Sequence, residues 1–141
     1  LAHSSDPIRA AGGIVAGTGH NRGKIAVIRR RRYSGEIGLP KGKVKKGETD
    51  AEAAIREVEE ETGLRASLRQ IAGVTEYKVE GTPKTVTYFL MDAPEGMATI
   101  PNDSAEIEAV EWLTPLDAIV ALTHTEDREL VSKVFNIELP I

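Results

Sequence analysis

The feature that most constrains this chain lies between Thr49 and Leu64, a short helix whose ends and faces are both set by residue type. Thr49, followed three residues later by Glu52, forms a capping box. In it the hydroxyl and the carboxylate each accept an amide proton that a helix leaves unpaired at its start. Gly63 is placed to end the helix, because glycine takes the left-handed backbone of a helix C-terminus without steric penalty. Ala54, Ile55, Val58 and Leu64 give an apolar side that must lie against a core. Glu57, Glu60 and Glu61 fall at i, i+3 and i+4, so three carboxylates project from one face within one turn. Like charges at that spacing repel by about 0.2–0.5 kcal/mol per pair. A hard divalent cation offsets the repulsion, and Mg²⁺ prefers carboxylate oxygens, water and substrate phosphates. Arg56, four residues before Glu60, can orient a carboxylate without joining a metal's ligands. A solvated acidic face is the other reading of the same cluster.

The rest of the chain reads as one α/β (α+β) domain over residues 1–141. Residues 10–16 and 24–29 are β-branched or small and read as strands, joined by the turn-rich residues 17–23. Residues 33–47 are rich in Gly and Lys and contain Pro40, which predicts loop. The stretches 67–79 and 85–91, with Glu80-Gly81-Thr82-Pro83 between them, predict a hairpin. Residues 92–104 read as a long loop, where substrate-specific variation is expected. A strand over 109–113 follows, then a helix opened by Thr114-Pro115 and Asp117, and a last helix marked by Leu130, Val131, Val134 and Phe135. This order predicts a mixed sheet between helices rather than a regular βαβ series.

Charge is lopsided. From Arg22 to Lys46 ten basic residues face one acid, a local balance of +9 in a chain whose net charge is −4. From Glu48 to Glu61 seven acids accompany one base. Such adjacency suggests an anion held on one side and a cation on the other. With no cysteine there is no disulfide scaffold, thiolate metal site or cysteine nucleophile. No apolar run approaches the ~18 residues of a membrane span, and residues 1–6 show no secretory signal. A cytoplasmic location without a membrane partner is expected.

Gly42, Glu48, Arg56, Glu57, Val58, Glu60, Glu61, Gly63 and Leu64 fit the pattern G-x5-E-x7-R-E-U-x-E-E-x-G-U, with U a bulky aliphatic residue. Seven fixed residues at ordinary usage coincide by chance about once in 10⁸ positions. The pattern, over residues 42–64, resembles the Nudix box, and the chain resembles the Nudix hydrolases, MutT-like in character. The resemblance implies an α/β/α sandwich with a mixed sheet and a metal-dependent pyrophosphohydrolase. It implies Glu57, Glu60 and Glu61 as ligands of Mg²⁺, with Mn²⁺ the alternative, and one of them or a nearby acid as the base that activates water. Gly42 would pass metal or phosphate close to bare backbone. Arg56 would hold Glu48 and Glu60, leaving Glu48 behind the ligands. Glu106, six residues before Trp112, would complete the metal site or serve as base, with Glu108 and Asp103 weaker candidates. Water would attack phosphorus in a phosphoanhydride, in line and beside cations that neutralise the phosphoryl oxygens. No Ser/His/Asp arrangement competes. His3, His20 and His124 lie in terminal, turn-like and inter-helix sequence, and for His124 a surface or capping role is favoured over reach to the site.

Lys41 and Lys43 flank Gly42 and are expected to touch phosphate. Strand alternation should turn two of the four residues Arg29 to Arg32 toward the site, taken here as Arg29 and Arg31. Clustered Arg and Lys suit tri- to pentaphosphate anions. Leu39-Pro40-Lys41-Gly42-Lys43 is similar to the approach to the box in bacterial dinucleoside polyphosphate hydrolases, and also to that of some members acting on oxidised dGTP. The expected substrate is therefore a dinucleoside polyphosphate such as diadenosine tetraphosphate, cut to ATP and AMP. The alternatives are oxidised dGTP, then a diphosphoinositol polyphosphate or ADP-ribose. Tyr77 and Tyr88 are the aromatics available to stack on a base, and both also fit a strand's core or rim. A non-catalytic nucleotide-binding regulatory module is the competing class, disfavoured by the intact box. A stable nucleic-acid partner is disfavoured by a pI of 5.5 and by the neighbouring carboxylates, with RNA decapping between the two classes. The assembly is expected to be a monomer or homodimer.

Overall fold

Two strands that are apolar on both faces require a sheet covered on both sides. They are β1 (Ile8–Ala16) and β2 (Ile25–Arg30), and Ala10–Val15 and Ile25–Ile28 are buried without a break. The computed structural model describes residues 6–32 and 35–139. His3 and the first two residues of the 33–47 stretch lie outside the described residues. After a 3₁₀ turn between β1 and β2 come β3 (Ile37–Gly38), β4 (Lys41–Lys43), α1 (Asp50–Thr62), β5 (Ser67–Val79), β6 (Thr82–Asp92), β7 (Ile107–Leu113), α2 (Pro115–Ala121) and α3 (Thr125–Phe135).

The sheet runs β3-β2-β1-β6-β5, with β4 also on β1 and β7 on β2. β1 and β6 are parallel and the other pairs antiparallel, so the sheet is mixed. Ala10, Ile14, Ile25 and Val27 pack with Ala118 and Ile119 of α2 and with Leu130 and Val131 of α3. Val15 and Ala26 pack on the opposite face with Val58 of α1, Leu64 and Met91. The layers are α1, sheet, then α2 with α3, the expected α/β/α arrangement. Among the described residues no helix is long and apolar enough to cross a membrane.

Three local expectations change. The Gly- and Lys-rich stretch read as loop contains β3 and β4, which pair through the backbone (Ile28 with Gly38, Ala11 with Gly42); with Ile37 the one β-branched residue of their five, they are too short to carry a strand pattern. The hairpin turn is tighter than expected: Glu80 and Gly81 make it, with φ of 50° and 83°, while Thr82 and Pro83 already belong to β6. β1 and β7 each begin two residues earlier than expected. The capping box at Thr49 is formed in both directions, and Gly63 closes α1 at φ 80°.

Candidate active site

α1 brings the carboxylates and β4 the cations. Pairing of Gly42 with Ala11 sets β4 beside α1, and a Cβ at residue 42 would stand 2.0–2.2 Å from the Glu57 carboxylate. Only glycine allows that approach. The groove so formed has a volume of about 690 Å³. Glu57, Glu60 and Glu61 line it with Asp103 and Glu106, across from Lys41, Lys43 and Lys84.

Arg56 ties the acidic wall together. Its guanidinium donates to Glu48 at 2.7 and 2.9 Å, Glu57 at 2.8 Å, Glu60 at 3.2 Å and the Lys43 carbonyl at 3.0 Å. The Arg56 bond, aided by the Lys45 amide, holds Glu48 down to about 2. Burial pushes the Glu57 carboxyl up, against the Arg56 bond. Glu61 is deeper, 5% exposed; it accepts from the Lys41 amide at 2.9 Å and from Arg30 at 3.4 Å. Burial pushes its carboxyl up to about 7, with Glu57 adding to the rise and Arg30 opposing it. Arg30 also donates to Glu106 at 2.8 Å. Its burial alone would lower its pKa, yet Glu61, Glu106 and Glu36 raise it overall. That wall alternates charge sign, so each buried charge has a neighbour of opposite sign.

Two substrate-side expectations are corrected. Arg29 and Arg31 do not line the groove; Arg30 and Arg32 do. Arg29 turns to Glu111 of β7 at 3.0 Å, and Arg31 donates to the Ser104 carbonyl at 2.8 Å. Ala26 and Arg30 have the same parity on β2, the one that faces α1, and an unbroken apolar run gives no alternation from which to read it. Tyr88 is fully buried in the core beside α2 and α3, so it has no face for a substrate. Tyr77 does line the groove.

Three further residues at this end, Glu36, Lys84 and Asp127, escaped sequence reasoning. His124, for which a surface or capping role is the favoured reading, makes no capping bond and lines the groove. His124, the residue before α3, stacks on Tyr77 with centroids 6.4 Å apart and planes 11° from parallel. Its Nε2 lies 2.9 Å from Oε1 of Glu36, a hydrogen bond in which the imidazole donates. The Lys84 ammonium stands 5.8 Å from the Tyr77 ring centre. Burial, then the nearby Lys41 charge, lowers its pKa to about 8. Asp127, at the start of α3, is 5% exposed. Lys84 had a signal that could be read, a lone basic residue beside Pro83 in a strand facing the basic block. For Glu36, His124 and Asp127 only the fold makes the connection.

The donor set suits a hard divalent cation. Glu57, Glu60 and Glu61 offer oxygen ligands from one helix face, and the missing Cβ of Gly42 keeps the approach to them open. As the side chains lie, they are turned to Arg30, Arg56 and the Lys41 amide, and among the described residues no three acids or histidines are gathered about one point.

The NUDIX domain profile matches residues 6–134. The chain is 36% identical over 140 residues to an 8-oxo-(d)GTP phosphatase of Mycolicibacterium smegmatis, covering 92% of this chain and 42% of that protein. It is 38% identical over 92 residues to the asymmetrical bis(5′-nucleosyl)-tetraphosphatase of Rattus norvegicus, covering 62% of this chain and 61% of that enzyme. The chain thus spans less than half the length of its mycobacterial relative. In fold it is similar to the C. elegans Ap4A hydrolase binary complex, with a TM-score of 0.80 at 24% identity over 92% of this chain and 95% of that one.

Proposed function

The chain belongs to the NUDIX domain family, and on that premise we propose that it hydrolyses a phosphoanhydride bond in a nucleoside polyphosphate. The observation that carries this reading is the groove in which Glu57, Glu60 and Glu61 face Lys41, Lys43 and Lys84. Glu57, Glu60 and Glu61 would hold the divalent cation, Mg²⁺ with Mn²⁺ as the alternative. When bound, it supplies positive charge to the phosphoryl oxygens. The chain's own residues do the rest. The three lysines hold and align the phosphates, and Arg30 spans Glu61 and Glu106 so that neither carboxylate drifts. Water adds to phosphorus as the bridging P–O bond breaks. Its proton passes to a carboxylate of this wall, Glu106 or one of the helix glutamates, and the leaving phosphate departs with the bond's electron pair.

The polyphosphate wall suits both substrate classes raised by the sequence. We favour a nucleoside triphosphate with an oxidised guanine base. One aromatic pair, Tyr77 with His124, serves one base, and the M. smegmatis relative matches over 92% of this chain. The dinucleoside tetraphosphate is the second reading, supported by Lys41-Gly42-Lys43 and by the rat relative. Product analysis with Mg²⁺ on oxidised dGTP, diadenosine tetraphosphate, ADP-ribose and a diphosphoinositol phosphate tests this. Fastest turnover is expected with oxidised dGTP. ATP plus AMP formed faster from the tetraphosphate would promote the second reading, and no turnover on the panel would reject both.

A further inference from the structure

A second cavity, of about 350 Å³, shares no residue with the groove. Ala72 to Glu76 of β5 line one wall without a break, although the side chains of a strand alternate between its faces. Consecutive residues border one space along a strand's edge, not over its face. β5 ends the sheet: it pairs with β6 on one side, and among the described residues no backbone of another strand or loop bonds to its outer edge. Bulges blunt that edge between Leu68 and Gln70 and between Ile71 and Gly73, but from Gly73 to Val79 the register is unbroken. The opposite wall is α3, where Glu126, Glu129, Leu130 and Lys133 fall at i, i+3, i+4 and i+7 and so share one face.

Two observations define what fits there. Thr75, 6% exposed, lines the cavity, and its buried hydroxyl has no hydrogen-bond partner among the described residues. Buried polar groups are nearly always bonded, and a threonine or serine set opposite on a neighbouring strand would satisfy this one. Charge is also divided along the cavity. Tyr77 stacks on His124, just before α3, and Leu130 would stand 2.6 Å from a Cβ at Gly73, so α3 runs antiparallel to β5. Glu76 and Glu126 therefore lie at one end and Lys133 at the other, with Glu129 between. None of the four forms an ion pair or hydrogen bond among the described residues. Val74, 51% exposed, leaves an apolar side chain uncovered beside them.

We propose that the β5 edge docks an extended segment of a partner protein, added as an outer antiparallel strand in which basic residues come first, then a threonine or serine, then an acid. An antiparallel strand starts beside Glu76 and Glu126 and ends beside Lys133, so this order matches the charges it passes. Backbone bonds supply affinity, and the charges fix direction. The probe is a labelled peptide, Val-Lys-Lys-Thr-Val-Val-Glu, against its charge-exchanged form, Val-Glu-Glu-Thr-Val-Val-Lys, followed by fluorescence anisotropy with the whole chain. The first should bind about tenfold tighter. The double substitution Glu76→Lys with Glu129→Lys should reverse that ranking, and Thr75→Val should weaken the first peptide about threefold. Neither Glu76 nor Glu129 borders the groove, so turnover of a polyphosphate should not change in the double variant, and the two readings stand or fall separately. Amide shifts in nuclear magnetic resonance should concentrate on Gly73–Val79 and α3. Equal binding of the two peptides, binding of neither, or shifts centred on the groove overturns the proposal even if a variant fails to fold. A concentration-dependent dimer in sedimentation that the double variant abolishes would give the edge to a second copy of the chain, and would overturn it too.

Discussion

Glu61 and Asp127 are two carboxylates buried to the same degree, each 5% exposed, at opposite ends of one site. Burial raises both, Glu61 to about 7 and Asp127 to about 6. They differ in company. Glu61 accepts from Arg30 and from the Lys41 amide, and like charge from Glu57 adds to its rise. Asp127 has nearby charges, and among the described residues no hydrogen bond to its carboxylate is formed. The protein itself fixes the first carboxylate's position, as chemistry at a phosphorus centre demands. The second lines a small cavity beside the groove, with Lys41 and His124 as its nearest opposite charges.

The largest effect should come at the fixed end. Glu61→Gln keeps an acceptor for the Lys41 amide but removes the charge, as Glu57→Gln does against Gly42. Each is expected to lower kcat by about 10²–10⁴ with the far-ultraviolet dichroism unchanged. Steady-state rates with Mg²⁺ on the fastest substrate of the panel would check it. If both variants stay within about threefold of wild type, these glutamates are not catalytic machinery and the contrast with Asp127 collapses.

The fixed end is also the end that was legible in the sequence, for a physical reason. The cap at Thr49, the stop at Gly63 and the i, i+3, i+4 glutamates are local, set by helix geometry within one turn or two. Gly42 was legible through its place in a motif, and the Cβ clash with Glu57 gives the cause. Arg30 was missed because β2 is apolar on both faces, so alternation could not choose between neighbouring arginines. Tyr88 was misplaced toward substrate because a strand aromatic reads the same whether its face is covered by α3 or open. β3 and β4 pair by backbone alone. The aromatic end joins Leu39, Tyr77 and the His124–Asp127 turn from three separate segments, and nothing local links the three.

A stability measurement tests the unpaired carboxylate without reference to any substrate. Because folding raises the Asp127 pKa from its ordinary value to about 6, the folded chain takes up this proton more readily than the unfolded one. Near pH 4 folded Asp127 is neutral, and the wild type should approach Asp127→Asn in stability. Above about pH 6 both states are ionised and the folded state bears the full cost of burial. Glu36, Glu126, His124 and Lys41 surround the group and are present in both proteins. Asp127→Asn should therefore be more stable than wild type by about 2 kcal/mol at pH 8, with the gain fading as pH falls from 6 to 4. Urea unfolding across that range would show it. A flat difference would mean that Asp127 is satisfied in the folded chain and is no different in kind from Glu61.

Lys41 touches both ends, and its two parts can be separated. Its amide holds Glu61, while its side-chain charge is the leading attraction on Asp127. Lys41→Ala deletes the charge and keeps the amide, so the fixed end should lose little: kcat is expected to stay within about twofold. KM should rise about three- to tenfold, more for longer phosphate chains, as one lysine leaves the polyphosphate wall. Without that ammonium Asp127 is more costly to bury, so the stabilisation by Asp127→Asn should grow in the Lys41→Ala background, by about 0.5 kcal/mol. KM series on nucleoside di-, tri- and tetraphosphates, with urea unfolding of the four members of this cycle, would measure both. Equal KM throughout would remove Lys41 from the phosphate path. Strict additivity in the cycle would mean that the Lys41 ammonium does not act on Asp127, and that the two ends of the site are electrostatically independent.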